Sequence, residues 1–185
     1  PVLSVALALG PVLGADVEAI HVADEVGDTA AAVAASMGVA YRVLPGEDPL
    51  PAILGYAAGG DVAMVVVGAR RRLQSSDLGH LAHLIADNLD KPVVVVPPET
   101  PPVDRLQRVM IALEATPGKA RSLSGVISVV AAAELDIVVV HVDDEQSIPS
   151  FSDQEAHETR AYAEEFLARY LPNAGLARLE LRVGD

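Results

Sequence analysis

The sequence has no cysteine and no tryptophan. The first absence excludes a disulfide framework, a thiolate metal site and a cysteine nucleophile, and it fits a reducing, cytoplasmic setting. Aromatic residues make up 3% of the chain against 51% for all hydrophobic types. Its core must therefore be built from Val, Leu, Ile and Ala, as in buried parallel sheets covered by Ala-rich helices. Basic residues are scarce as well: 13 Lys and Arg face 26 Asp and Glu, a net charge of −13. Neutralising a phosphate backbone needs clustered cations, so this balance argues against a nucleic-acid surface. No apolar run reaches the roughly 18 to 20 residues needed to cross a bilayer. Pro1 to Gly14 is apolar but lacks the basic start and small-residue cleavage pattern of a secretory signal. No Gly-x-Ser-x-Gly elbow and no P-loop lysine motif is present, and Ser75 and Ser76 have no base near them in sequence.

What the chain does have is a series of short β-rich runs. Val62 to Val67, Pro92 to Val96, Arg108 to Leu113 and Asp136 to Val142 are continuously apolar, which predicts strands covered on both faces. Val17 to Val22 is a weaker strand, and Val39 to Leu44 and Leu176 to Val183 have the mixed pattern of a sheet edge. Helical spacing links Leu78, Leu81, Ala82, Ile85 and Leu89, and again Leu123, Val126, Ile127 and Val130. A longer helix is expected over about Asp153 to Leu171. Asp48 before Pro49 reads as an N-cap with Pro in the first helical position. Strands alternating with helices imply parallel pairing and right-handed crossovers, a doubly wound α/β fold.

Pro97 to Asp104 (PPETPPVD) fits neither a helix nor an inner strand and reads as a linker. A repeat supports that division. Ala15 to Glu25 and Leu135 to Glu145 agree at five of eleven positions with an offset of 120 residues, including His21/His141 and Val22/Val142. Pro45-Gly46 then matches Val183-Gly184.

The order of these motifs resembles the universal stress protein family. It rests on His21-Val22, Gly46-Glu47-Asp48-Pro49, Val65-Val66-Val67-Gly68-Ala69-Arg70, Gly79-His80 and Lys91-Pro92-Val93-Val94-Val95-Val96. In the second half it rests on Arg108 to Glu114 and His141-Val142. The resemblance covers nearly the whole chain. It implies parallel sheets of the adenine-nucleotide alpha-hydrolase-like type with strand order 3-2-1-4-5, in two units: residues 1–98, a linker at 99–104, and residues 105–185. It further implies that the first unit begins within the family's first helix, leaving a gap where strand 1 would stand, and that the second ends where a third helix should begin. The alternative is that Arg108 to Leu113 fills the gap and makes one permuted domain.

Many family members bind ATP where strand order reverses, with phosphates on a Gly-rich loop and a helix N-terminus. By resemblance the ligand residues in the first unit are Gly68, Arg70, Gly79 and His80, with Gly46 near the adenine, and in the second unit Glu114, placed to accept from a ribose hydroxyl. The phosphate pattern departs from the family's: Arg71 replaces the second glycine, Gly79 comes two residues early, and His80 stands where Ser or Thr is usual. The run Arg70-Arg71-Arg72 offers an anion site beside a helix start; the plainer reading is a solvated, charge-balancing loop. Asp24-Glu25 and Asp143-Asp144-Glu145 offer contacts to Mg²⁺ carried by a nucleotide, or are solvated carboxylates. His80 and His83 on one helix face lack a third ligand for zinc. His21 and His141 read as fold residues bonded to local backbone.

The expectation is a stress-response regulatory or binding module that takes ATP with Mg²⁺, with weak ATPase activity at most, and that dimerises through Val93 to Val96. The alternatives are a ligand-free dimerisation scaffold and a nucleotide-hydrolysing enzyme on the same fold.

Overall fold

The computed structural model describes residues 1–24, 28–69, 79–112, 129–130, 132–144, 160–161, 164–165, 168–169 and 178–184. Two compact units are present, Pro1–Arg105 and Leu106–Asp185.

The first unit opens with helix α1 (Val2–Leu13), followed by β1 (Glu18–Val22), α2 (Asp28–Ser36), β2 (Ala40–Leu44), α3 (Pro49–Ala57), β3 (Val65–Gly68), α4 (His80–Asn88) and β4 (Val93–Val96). Pairing is parallel throughout. β1 pairs with β2, Glu18 opposite Ala40 through Val22 opposite Leu44; β3 pairs with β4, Val65 opposite Val93 through Gly68 opposite Val96. The two pairs are separate two-stranded sheets. α1 lies against β3, α2 against β2, α3 against β1 and α4 against β4, and α3 and α4 also touch. The core is aliphatic and small, as the dearth of aromatics requires: Val5 and Ala8 of α1, Ala34 of α2, Ala57 of α3 and Ile85 of α4 are buried.

Local chemistry explains the helix ends. α1 stops at Gly14, whose left-handed φ of 60° carries its N–H back to the carbonyls of Gly10 and Pro11. Gly10 is needed for close approach, because a Cβ there would stand 2.9 Å from the carbonyl of Ala15. Asp48 caps α3: its Oδ1 accepts from the Leu50 N–H at 3.0 Å, with Pro49 in the first turn. The strand expected from Val62 starts only at Val65, because the Val62 carbonyl turns aside to accept from the Lys91 Nζ at 2.6 Å. The same ammonium donates to the Gly59 carbonyl.

The second unit holds β5 (Arg108–Ala112), β6 (Asp136–Asp144) and β7 (Arg178–Gly184) in one parallel sheet, order β5-β6-β7. Residues 129–130 and 132 are helical, as are 160–161, 164–165 and 168–169, inside the two helices expected there. Arg108–Ala112 pairs with β6, so the sheet it joins is that of its own unit. The fold is α/β with parallel strands and intervening helices, as the sequence pattern implies.

The repeat has a structural counterpart. His21 pairs with Val43, three residues before Gly46; His141 pairs with Leu181, three residues before Gly184. The turn before each strand also corresponds. The Ala15 N–H donates to the Gly10 carbonyl at 3.0 Å, and 120 positions later the Leu135 N–H donates to Val130 at 3.4 Å.

Candidate functional site

In a parallel sheet the crossover helices start near the carboxyl ends of the strands, so exposed backbone N–H groups and strand ends collect on one rim. Four of the six residues singled out from the sequence are described, and all four fall on this rim. Gly46 follows β2 with a φ of 145°. A Cβ there would stand 3.9 Å from Val22 Cγ1 at the end of β1. Gly68 closes β3. The Ala69 N–H beyond it donates to the Val96 carbonyl at 2.8 Å, and across the other pair the Ala23 N–H donates to Leu44 at 3.2 Å. Gly79 is the N-cap of α4 at φ 82° and ψ 131°, with no side-chain cap. His80, the first residue of α4, is exposed. Gly46 belongs to the β1–β2 pair; Gly68, Gly79 and His80 belong to the β3–β4 pair. Arg70 and Glu114 lie outside the described residues, as do Arg71, Arg72 and Asp77.

Gly68 has a packing role that its motif did not reveal. A Cβ on it would come within 3.1 Å of Val2 Cγ2, so the first turn of α1 rests against the end of β3. A glycine inside a strand run is the available signal for such an approach, but it does not say which segment approaches.

The histidines divide by environment. His80 and His83 are both exposed, and His83 Nε2 lies 3.3 Å from Asp87 Oδ2 one turn on. Among the described residues no group of three His, Cys, Asp or Glu side chains could hold a metal ion. His21 does not follow the expectation of a ring bonded to backbone: it stacks on Tyr41, centroids 6.4 Å apart. The cross-strand diagonal of the β1–β2 ladder places the two rings on one face. The Tyr41 hydroxyl is buried without a hydrogen-bond partner. Asp24 is exposed. Glu25 and the side chains of Asp143, Asp144 and His141 lie outside what the structure describes.

A polar cluster that the sequence reading missed ties α3 to β1 and β2. The Arg42 Nε donates to Glu18 Oε1 at 2.9 Å, the Tyr56 hydroxyl donates to Glu18 Oε2, and the Arg42 guanidinium lies 5.6 Å from the Tyr56 ring centre. The hydrogen bond from Tyr56, seconded by Arg42 against some desolvation, holds the Glu18 carboxyl below its usual range. The same bond raises the Tyr56 phenol. The cluster is solvent-facing and its contribution to stability is small.

A shallow hollow lined by Leu7, Gly10, Pro11, Gly14, Asp16 and Val17 lies where α1 turns into β1. It sits at the amino end of β1, away from the rim that carries the glycines, and Asp16 is the one charged residue in its lining.

Against known proteins, no family model matches the sequence, and no curated protein matches it. The crystal structure of a universal stress protein from Archaeoglobus fulgidus DSM 4304 does. It aligns over 99% of this chain and 72% of its own, with a TM-score of 0.60 and 17% sequence identity. The fold is of the universal stress protein type. The likeness extends through both units, and at this identity it is one of architecture. Among the described residues no helix is long and apolar enough to cross a membrane.

Proposed function

We propose that the chain is a tandem of two universal-stress-protein-type units, residues 1–98 and 105–185 joined at 99–104, acting as a stress-response binding and regulatory module in the cytoplasm. The matching register around His21 and His141, and the matching turns at Ala15 and Leu135, support the tandem. The ligand is an adenine nucleotide with Mg²⁺, held rather than turned over.

The observation that carries the nucleotide reading is the collection of three positive-φ or close-packed glycines on the carboxyl rim: Gly46 after β2, Gly68 ending β3 and Gly79 opening α4. Gly46 and Gly79 leave the backbone there without a side chain, and the N-terminus of α4 favours negative charge. Gly68 and Gly79 border the phosphates, Gly46 the adenine. Arg70 and His80 add donors, and Glu114 takes the ribose role in the second unit. The acidic chain needs Mg²⁺ to bring ATP to this rim.

Calorimetry of the full chain with ATP and Mg²⁺ tests it. Saturable heat that is lost in Arg70→Ala supports the reading. Absence of heat at high micromolar ATP overturns it in favour of a scaffold without ligand, and steady release of ADP replaces it with a hydrolase.

The scaffold reading has an observation of its own: Gly68 is accounted for by its contact with Val2 without any ligand. In that reading, as in the first, a second copy pairs along Val93 to Val96 of β4, whose ladder is to β3 on one side. Sedimentation of the full chain and of Val95→Pro checks the dimer, because in this register the Val95 N–H points away from β3 and proline there removes an outer-edge donor and disfavours edge pairing.

A further inference from the structure

The Pro-rich segment after β4 is not a free tether. It leaves the carboxyl end of β4 at Val96, and the Thr100 N–H folds back onto the Pro97 carbonyl at 3.1 Å. The segment then reaches α1, where the Val103 N–H donates to the Ser4 Oγ at 3.2 Å. Ser4 is already held, since its hydroxyl donates to the Pro1 carbonyl at 2.8 Å. Thr100 and Val103 are half-buried between exposed neighbours. Proline at 97, 98, 101 and 102 leaves this stretch few backbone donors and little freedom to lose, so docking costs it less order than it would a flexible chain. Two residues before Ser4, Val2 rests on Gly68.

We propose that residues 97–105 are a strap clipped to the first turn of α1, and that the clip and the Gly68 wall of the carboxyl rim form one mechanical unit. A change at the end of β3 displaces Val2, the displacement moves the turn that carries Ser4, and the strap loosens. Conversely, a docked strap holds Val2 against Gly68. Only the consequence that a ligand on the rim would be sensed at the strap rests on the proposed nucleotide site; the device itself needs no ligand.

The sequence supplies its own reporter, because Arg105, exposed at the end of the strap, is followed by Leu106 and is a trypsin site. The full chain is digested under native conditions without nucleotide, and cleavage after Arg105 is timed. Ser4→Ala and Val103→Pro each remove one partner of the clip, and each is expected to speed cleavage roughly tenfold. The double variant should be no faster than either single one, since both remove the same bond. Gly68→Ala pushes Val2 and should speed cleavage several-fold, while amide exchange at Ala69 shows that the β3–β4 ladder is kept. Wild-type rates in both Ser4→Ala and Val103→Pro overturn the strap. A wild-type rate in Gly68→Ala alone overturns its link to the rim. Neither outcome depends on whether ATP binds.

Discussion

The two units put similar strand sequences into unlike sheets. VVVG in β3 and IVVV within β6 are both continuous apolar runs. Yet β6 has a parallel neighbour on each side, and Ile137 and Val139 are 1% and 0% exposed. In the first unit no described strand is flanked twice, and β3 is half-buried along its length. Burial of a strand is thus set by how many neighbours it acquires, and composition only permits it. The units also make one turn with different residues. Gly14 ends α1 at φ 60°, and Glu134, 120 positions on, adopts φ 56° in the same place. The second unit carries strain at a position where the first does not.

Four measurements sharpen or break this contrast, with unit-resolved amide exchange as the readout because the chain has no tryptophan to report unfolding. The largest effect is expected at the core of β6. Ile137→Ala should cost the second unit about 2–5 kcal/mol, whereas Val66→Ala in half-buried β3 should cost the first unit about 1 kcal/mol or less. Equal losses would show that β3 is as well covered as β6. Next, Gly79→Ala forces a side chain into a backbone conformation suited to glycine. It should loosen α4 by about 1–3 kcal/mol and leave the second unit unchanged.

Third, exchanging the turn residues should move the units in opposite directions. Glu134→Gly relieves a left-handed non-glycine residue and is expected to stabilise by about 1 kcal/mol, while Gly14→Ala destabilises by a similar amount. A loss at Glu134→Gly would mean that the side chain repays its backbone strain. The smallest effect concerns acid. Glu18 has a folded pKa below its ordinary 4.5, chiefly through the Tyr56 hydroxyl. Its contribution is therefore present above about pH 4.5 and fades as pH falls through the lower folded value. For an exposed cluster this is worth less than about 1 kcal/mol. Glu18→Gln should remove that acid dependence from the first unit only.

Much of the architecture was legible in the sequence because it is local. Continuous apolar runs marked four of the seven described strands, a weaker run marked β1 and mixed patterns marked β2 and β7, Asp48-Pro49 marked the start of α3, and the prolines at 97 to 102 marked the break in regular structure after β4. Parallel pairing followed from the alternation of element types. What the sequence did not disclose is contact across distance. Nothing near Gly68 names Val2, nothing near Val103 names Ser4, and Glu18, Arg42 and Tyr56 meet only once β1, β2 and α3 are assembled. Likewise, the ring of His21 was expected to bond backbone, but the ladder brings Tyr41 alongside it. The rim glycines were found through motif order, a signal that places them along the chain without stating what fills the space above them.

The sequence contains two lysines, Lys91 and Lys119, and the Lys91 amine donates to the carbonyls of Gly59 and Val62. An acylating reagent takes that nitrogen only while it is turned away from both oxygens, that is, while the tie from Lys91 to the connection between α3 and β3 is released. The rate at which Lys91 takes up such a label therefore clocks the release of this tie in the unmutated protein, with no dye or spectroscopic probe added beforehand.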